Sequence, residues 1–456
     1  MRDAYVISMD DERRVYPNGA IAISGTRIVG VGRNDELVAA FAPRRVISAG
    51  GGTVHPGFVE CHMHVSVLIW RWAFVDTVDW SQYMACHVAF YRALRDEEEY
   101  ASTRLACLEM AMNGTTCYLE SGTVLTTDAA AQGTEEIGIR GVLADAMVHD
   151  RDPEPLGLTR AASHSIDQLG GELDRNLDPD GLVRGHIALR GLASASEELL
   201  LAAKRVADEH GVTFSQHQSF AELDTGDDDR RFGGHVMAHL ADAGVLGPNC
   251  TWSHVNAVRD DEVAPIVESG MSIAWCPTAS MLLGVGGTQR GRHAELYRAG
   301  SPITLGSDSA NSCGRHDLAD QAYIALLTAR DKTRGRALDA EDALEMLTRN
   351  GARAVGLGDE IGSLEVGKRA DLVLHRMDVP EALPGIDRIR QLVFSQRSRT
   401  VDTVIVNGRV VLEGGQATRV DAAEIYARAR EASKRMSERI DTTEGLAVRH
   451  RWPQLV

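Results

Sequence analysis

The segment HPGFVECHMHV sets His62 and His64 two residues apart, so that on a β-strand both imidazoles point to the same side. Two nitrogens presented together can hold one metal ion. Three further residues extend the pattern, each closing a short apolar run: His217 ends VTFSQH, His254 ends CTWSH and Asp308 ends ITLGSD. Together these groups supply a zinc-type site with a position left open for water. A bound metal lowers the pKa of that water from about 15.7 toward about 7, which makes hydroxide available at neutral pH. Asp308 is suited to take the water's proton and return it to a leaving group. The expected chemistry is metal-assisted hydrolysis.

These residues can act together only if their strands lie side by side. Eight apolar runs read as strands: HPGFVECHMH, TTCYLES, IRGVLADAMV, GHIALRGLAS, VTFSQHQSF, CTWSHVNAV, MSIAWCPTAS and SPITLGSDS, with helical or loop sequence between them. Repeated strand-then-helix units imply a parallel sheet, and eight imply a closed (β/α)8 barrel of the α/β class, whose active sites gather at the C-terminal rim. A doubly wound sheet is the rival, but GGGT at 50–53 and GVGG at 284–287 lack both the P-loop lysine and the Rossmann spacing. Gly114 is placed to close a helix before TTCYLES. Ser194 and Glu197 have capping-box spacing before a helix that Gly211 ends. At the two chain ends the texture changes. AIAISGTRIVGVGR has strand periodicity broken by Gly25 and Gly30, and TVIVNGRVVLEGG places two runs around an Asn407-Gly408 turn.

Composition narrows the function classes. The chain has 456 residues, 44% hydrophobic and 25% charged, which is ordinary globular composition. A net charge of −17 repels phosphate backbones and argues against nucleic acid as a partner. No apolar run approaches the roughly 18 residues of a membrane span, and MRDAYVISMDDERR lacks an apolar signal core. Seven cysteines without a CxxC pair read as reduced thiols, which points to a cytoplasmic protein. The tail AAEIYARAREASKRMSERI is a charged amphipathic helix suited to packing or to a homo-oligomer contact.

In order and spacing, PNGAIAISGTRIVGVG, HPGFVECHMH, histidines 217 and 254, GSDS and IGSLEVGKRADLVL resemble the amidohydrolase superfamily. The resemblance is to the branch of cytosine deaminase-like enzymes, triazine hydrolases and adenosine-type deaminases. It implies a metal-dependent barrel over residues 55–357, a β-sandwich built from residues 1–54 and 358–416, and a helical tail over 417–456. It also implies that His62, His64, His217 and Asp308 are metal ligands, and that His254 polarises the substrate or steers the metal's water. Binuclear relatives bridge two metals with a carboxylated lysine on a middle barrel strand. The four lysines here stand at 204, 332, 368 and 434, and none falls on the strands between residues 114 and 195. One divalent ion per chain is therefore expected, zinc first, with Fe2+, Mn2+ or Co2+ as alternatives.

The departures from the family bear on substrate. Deaminases of the family carry a glutamate three residues after the third histidine, where it protonates a ring nitrogen, and here that position is Phe220. Glu222 is near in sequence but needs an altered loop to replace it. Arg190 stands where relatives often carry a substrate-binding histidine, and Asp79 before Trp80 preserves an acid of the family. Trp70, Trp72, Phe74 and Phe220 are expected in or near an apolar pocket, while Trp252 and Trp275 fit pocket or core equally. His235 and His239 read as an exposed helix face, and Cys61 and Cys276 as small core residues. The main expectation is a hydrolase of an amide, urea or carbamate C–N bond in a small, apolar or aryl substrate, similar to phenylurea and thiocarbamate hydrolases. The alternative is a deaminase of a purine, pterin, pyrimidine or triazine, and a non-catalytic binding homologue is a remote third.

Overall fold

All eight apolar runs form strands in the computed structural model, which describes residues 1–73, 80–152, 160–335 and 337–440. They are Phe58–Met63, Thr115–Glu120, Arg140–Leu143, Val183–Gly185 continuing as Ile187–Gly191, Phe214–Gln218, Cys250–His254, Ser272–Trp275 and Ile303–Leu305. Every neighbouring pair is parallel, in two arcs. The arcs join at His186, whose N–H donates to Leu143 O at 2.9 Å while the next N–H, of Ile187, donates to Thr213 O at 3.0 Å. They meet again where Asp308 N–H donates to His62 O at 2.8 Å and Met63 bridges Asp308 in parallel register. A ring of parallel strands covered by helices leaves both faces buried, which is why these runs are continuously apolar rather than alternating.

Local signals hold with one shift. Gly114, at φ +84°, closes the helix Asp96–Met112, and Gly211, at φ +63°, caps Glu197–His210. The N-cap of the latter is Ser196, whose Oγ accepts from Leu199 N–H at 3.1 Å. Ser194 lies too far upstream for that role and donates instead to Gly191 O at 2.5 Å.

The chain ends build a single eight-stranded sheet in which Thr53–Pro56 pairs parallel with Ala4–Ile7 and antiparallel with Leu372–His375. Strands from both chain ends thus share one continuous mixed sheet rather than two packed layers, and its strand Thr53–Pro56 runs across residue 54. Asn407 (φ +51°) and Gly408 (φ +73°) form the hairpin turn, and a Cβ at Gly408 would come within 2.0 Å of Gly25 O. The tail helix Ala422–Arg439 packs on Asp96–Met112, where buried Glu98 accepts from Arg435 at 2.8 Å. No described helix is long and apolar enough to cross a membrane.

One buried ion pair ties sheet to barrel. Arg140, on the third barrel strand, donates to Asp371 Oδ2 at 2.6 Å and to Asn407 Oδ1 at 3.0 Å, and both partners of the ion pair are buried. Removing one partner of such a pair leaves a desolvated charge, at a cost of about 3–5 kcal/mol. Arg140→Met is expected to lower stability by about that amount in urea titrations; a loss below about 1 kcal/mol would show that the pair does not anchor the sheet.

Candidate active site

The rim of the barrel collects the residues singled out above. His62 and His64 leave the first strand, His217 lies on the fifth, His254 ends the sixth, and Asp308 follows the eighth. All five are buried. The His62 ring lies 4.6 Å from that of His217 and 4.7 Å from that of His254, centroid to centroid. Nε2 of His64 stands 3.2 Å from Nε2 of His217 and 3.2 Å from Asp308 Oδ1.

Hydrogen bonds on the far side of each ring fix its tautomer. Arg190 O can only accept, so His217 Nδ1 carries the proton of their 2.6 Å bond. Ser121 Oγ gives its own proton to Met63 O at 2.7 Å, so the Nδ1–H of His62 is shared between Ser121 Oγ at 2.8 Å and Ser253 Oγ, on the sixth strand, at 2.5 Å. Thr123 Oγ1 donates to Glu120 Oε1 at 2.8 Å and so accepts from His64 Nδ1 at 2.7 Å. Each imidazole is thereby left with its Nε2 lone pair facing the others, and His62 Nε2 has no hydrogen-bond partner among the described residues. Facing lone pairs beside a carboxylate repel unless a cation shares them. Burial first, and then the neighbouring histidines, push the imidazole of His217 well below its ordinary value, which keeps it neutral as a ligand must be. The donor set of His62, His64, His217 and Asp308 fits a divalent cation.

Beside this cluster opens a pocket, which His254, Asp308, Arg190 and Phe220 all line. Phe220 packs its ring 4.4 Å from that of His254. Its loop is fixed by Asp224, which accepts from the N–H groups of Phe220 (3.0 Å) and Ala221 (2.7 Å), and by Asn256, which donates to Phe220 O at 2.9 Å. Glu222 does not reach the pocket. Its side chain is 79% exposed and pairs with Arg290.

Two expected pocket residues lie elsewhere. The chain leaves the first strand through a tight 3-10 turn, Val65–Trp70. That turn buries Trp70 against Phe90, with ring centroids 5.4 Å apart, and sends Trp72 outward, 45% exposed, with its N–H on Asn311 Oδ1 at 2.6 Å. Neither ring lines the pocket. Asp79 and Phe74 lie outside the described residues. Trp252 is core, edge-on to Phe214 at 5.8 Å, and Trp275 is buried, stacked on His293. His235 and His239 bond Asp261 and Glu197 at the surface, while Cys61 and Cys276 are buried.

Several site residues escaped the sequence reading. The helix Trp80–Ala93 presents Tyr83, His87 and Tyr91 to the pocket, and their i, i+4, i+8 spacing is a stripe readable in YMACHVAFY. Burial drives the His87 imidazole down to about 3, so it stays neutral there. Glu60 shares the strand face of His62. Its Oε1 accepts from His62 N–H (3.0 Å) and Ser307 N–H (2.9 Å), joining the first strand to the segment that carries Asp308. The period-two pattern E-x-H-x-H contains that signal.

The matching of fold, donor set and rim places the molecule among the metal-dependent hydrolases of carbon–nitrogen bonds. Residues 53–411 match the Amidohydrolase family, and the chain belongs to it. It is 30% identical over 424 residues to a 5-methylthioadenosine/S-adenosylhomocysteine deaminase from Moorella thermoacetica, covering 92% of this chain and 95% of that one. Among solved structures it superposes on an adenosine deaminase from Xanthomonas campestris with bound zinc (TM-score 0.87, 25% identity, 95% of this chain and 98% of that one). It also superposes on the zinc-complexed atrazine chlorohydrolase from Arthrobacter aurescens (TM-score 0.85, 23% identity, 95% and 99%).

One divalent ion per chain is expected on elemental analysis of the purified protein. A His62→Ala, His64→Ala double variant should retain almost none. Two tightly held ions per chain, or undiminished metal in the double variant, would contradict the ligand assignment.

Proposed function

We propose that the chain hydrolyses the exocyclic C–N bond of an aminated heterocycle, releasing ammonia or an amine, with zinc in the site of His62, His64, His217 and Asp308. The supporting observation is the relationship to a curated 5-methylthioadenosine/S-adenosylhomocysteine deaminase, which extends over 92% of the chain and takes in all five rim residues. A divalent ion held there supplies Lewis acidity and an acidified water when bound. The protein's own groups do the rest. Asp308, at the rim, accepts the water's proton and passes it to the departing nitrogen. His254 faces the same space and polarises the electrophilic carbon's substituent. The rings of Phe220 and Tyr83 and the side chain of Met84 exclude water and favour an apolar substituent, worth roughly 1.5–3 kcal/mol for a fully buried group. Arg190 supplies a cationic donor at the wall.

Phe220 favours a second reading. Among the described residues that line the pocket, Asp308 is the one carboxyl group, and Phe220 stands where the deaminases of the family carry the acid that protonates a ring nitrogen. A neutral amide, urea or carbamate needs no such proton, and Arg190 would then donate to its carbonyl oxygen.

A substrate panel separates the two. The deaminase reading expects the best aminated heterocycle, among purines, pterins, pyrimidines and triazines, to exceed every aryl amide, urea and carbamate in kcat/KM. The reverse order would replace it with the second reading. Phe220→Glu restores a general acid, a group usually worth about 10²–10⁴-fold, and should raise deamination of an aminopurine while leaving amide hydrolysis unimproved. Asp308→Asn, which cannot carry the proton, should fold normally and lose at least about 10³-fold in kcat on any substrate; a rate near that of the parent would remove Asp308 from the proton path.

A further inference from the structure

We infer that His293 is a positioning residue: its Nε2–H grips the backbone carbonyl of His254 and fixes where the His254 imidazole stands over the pocket. The inference rests on the role proposed for His254. The backbone there is under strain, because His254 has φ +72° and the β-branched Val255 has φ +46°. Two consecutive non-glycine residues in the left-handed region are strained and persist only where neighbours hold them. Three contacts do so. Val255 N–H donates to Gln218 O at 2.9 Å, Asn256 N–H donates to Ser219 O at 2.9 Å, and His293 Nε2 lies 2.6 Å from His254 O.

The last contact is the one made by a side chain, and it is built with care for its direction. A carbonyl oxygen can only accept, so Nε2 of His293 bears the proton. The ring is 3% exposed and lies parallel to the indole of Trp275, 4.6 Å between centroids at 2°. Trp275 ends the seventh barrel strand, so the donor is referenced to the barrel itself. Gly291 makes room for it: a Cβ at that position would stand 2.7 Å from His293 Cε1. On its other side the His254 ring meets Phe220 at 4.4 Å. His254 is thus held through its backbone by His293 and through its ring by Phe220.

The test is a double-mutant cycle on the metal-replete enzyme, using whichever substrate the panel selects. His293→Phe keeps a ring against Trp275 and deletes the N–H, whereas His293→Gln keeps a donor. Partners that orient a site residue typically matter 10–100-fold, so His293→Phe should lower kcat by about that factor with KM within about twofold. Metal content should hold, the thermal midpoint should fall as the strained backbone loses one of its holds, and His293→Gln should recover most of the rate. In a His254→Ala background His293→Phe should add nothing, because its effect runs through His254. Replacing the metal by Co2+ gives a readout without turnover: the visible absorption band should shift in His293→Phe and return in His293→Gln. Unchanged kcat and an unchanged Co2+ band in His293→Phe, a full further loss in the His254→Ala background, or no recovery in His293→Gln would each overturn the inference. An active His254→Ala enzyme would instead overturn the role given to His254, and the Co2+ band would still decide whether His293 orients the site.

Discussion

Three protons on the outward nitrogens of buried imidazoles govern this site. Each Nδ1–H is directed to oxygen outside the cluster: a main-chain carbonyl for His217, the hydroxyls of Ser121 and Ser253 for His62 and a threonine hydroxyl for His64. The inward lone pairs follow from those three commitments. The loop that follows the second strand supplies Ser121 and Thr123, and the sixth strand supplies Ser253. The histidines of the first strand are therefore oriented by side chains of neighbouring barrel units, and a barrel of fixed register becomes a precondition for binding a cation.

Residues that act through strand position were legible in the sequence. His62, His64, His217, His254 and Asp308 all close apolar runs, and in a parallel barrel that one property determines both depth and direction. Residues that act through loop geometry were not. Trp70 and Trp72 follow HxH by a few positions, but a 3-10 turn sends one into the core and the other to the surface. Nothing in VSVLIWRW distinguishes that turn from a helix pointing at the pocket. The same limit applies at the helix cap, where Ser194 and Ser196 both precede an acidic first turn and only the φ/ψ of the loop selects between them. Tyr83, His87 and Tyr91 could have been found from their spacing. Their side chains look like an amphipathic face, and which face meets the pocket depends on how the helix crosses the rim.

Phe220 gives the family machinery a different balance. Three histidines and one carboxylate gather at the rim, and the wall beside them carries a phenyl ring held by Asp224 and Asn256. Among the described residues the pocket wall carries one carboxyl group, that of Asp308, beside Arg190 and the Tyr–His–Tyr stripe.

The hydrogen bond from Asp308 to the carbonyl of His62 also has a meaning in time. It joins residues 246 positions apart and closes the ring of strands. A ribosome adding about 5–20 residues per second needs roughly 10–50 s to travel that distance. Throughout that interval the paired histidines of the first strand are already made, while their carboxylate does not yet exist. The sheet that docks on the barrel waits longer still, because Thr53–Pro56 finds its antiparallel neighbour only at Leu372–His375. Capture of the metal is accordingly a late event in the life of each new chain, and the cell must keep an open arc of apolar strands from pairing with others until the last one arrives.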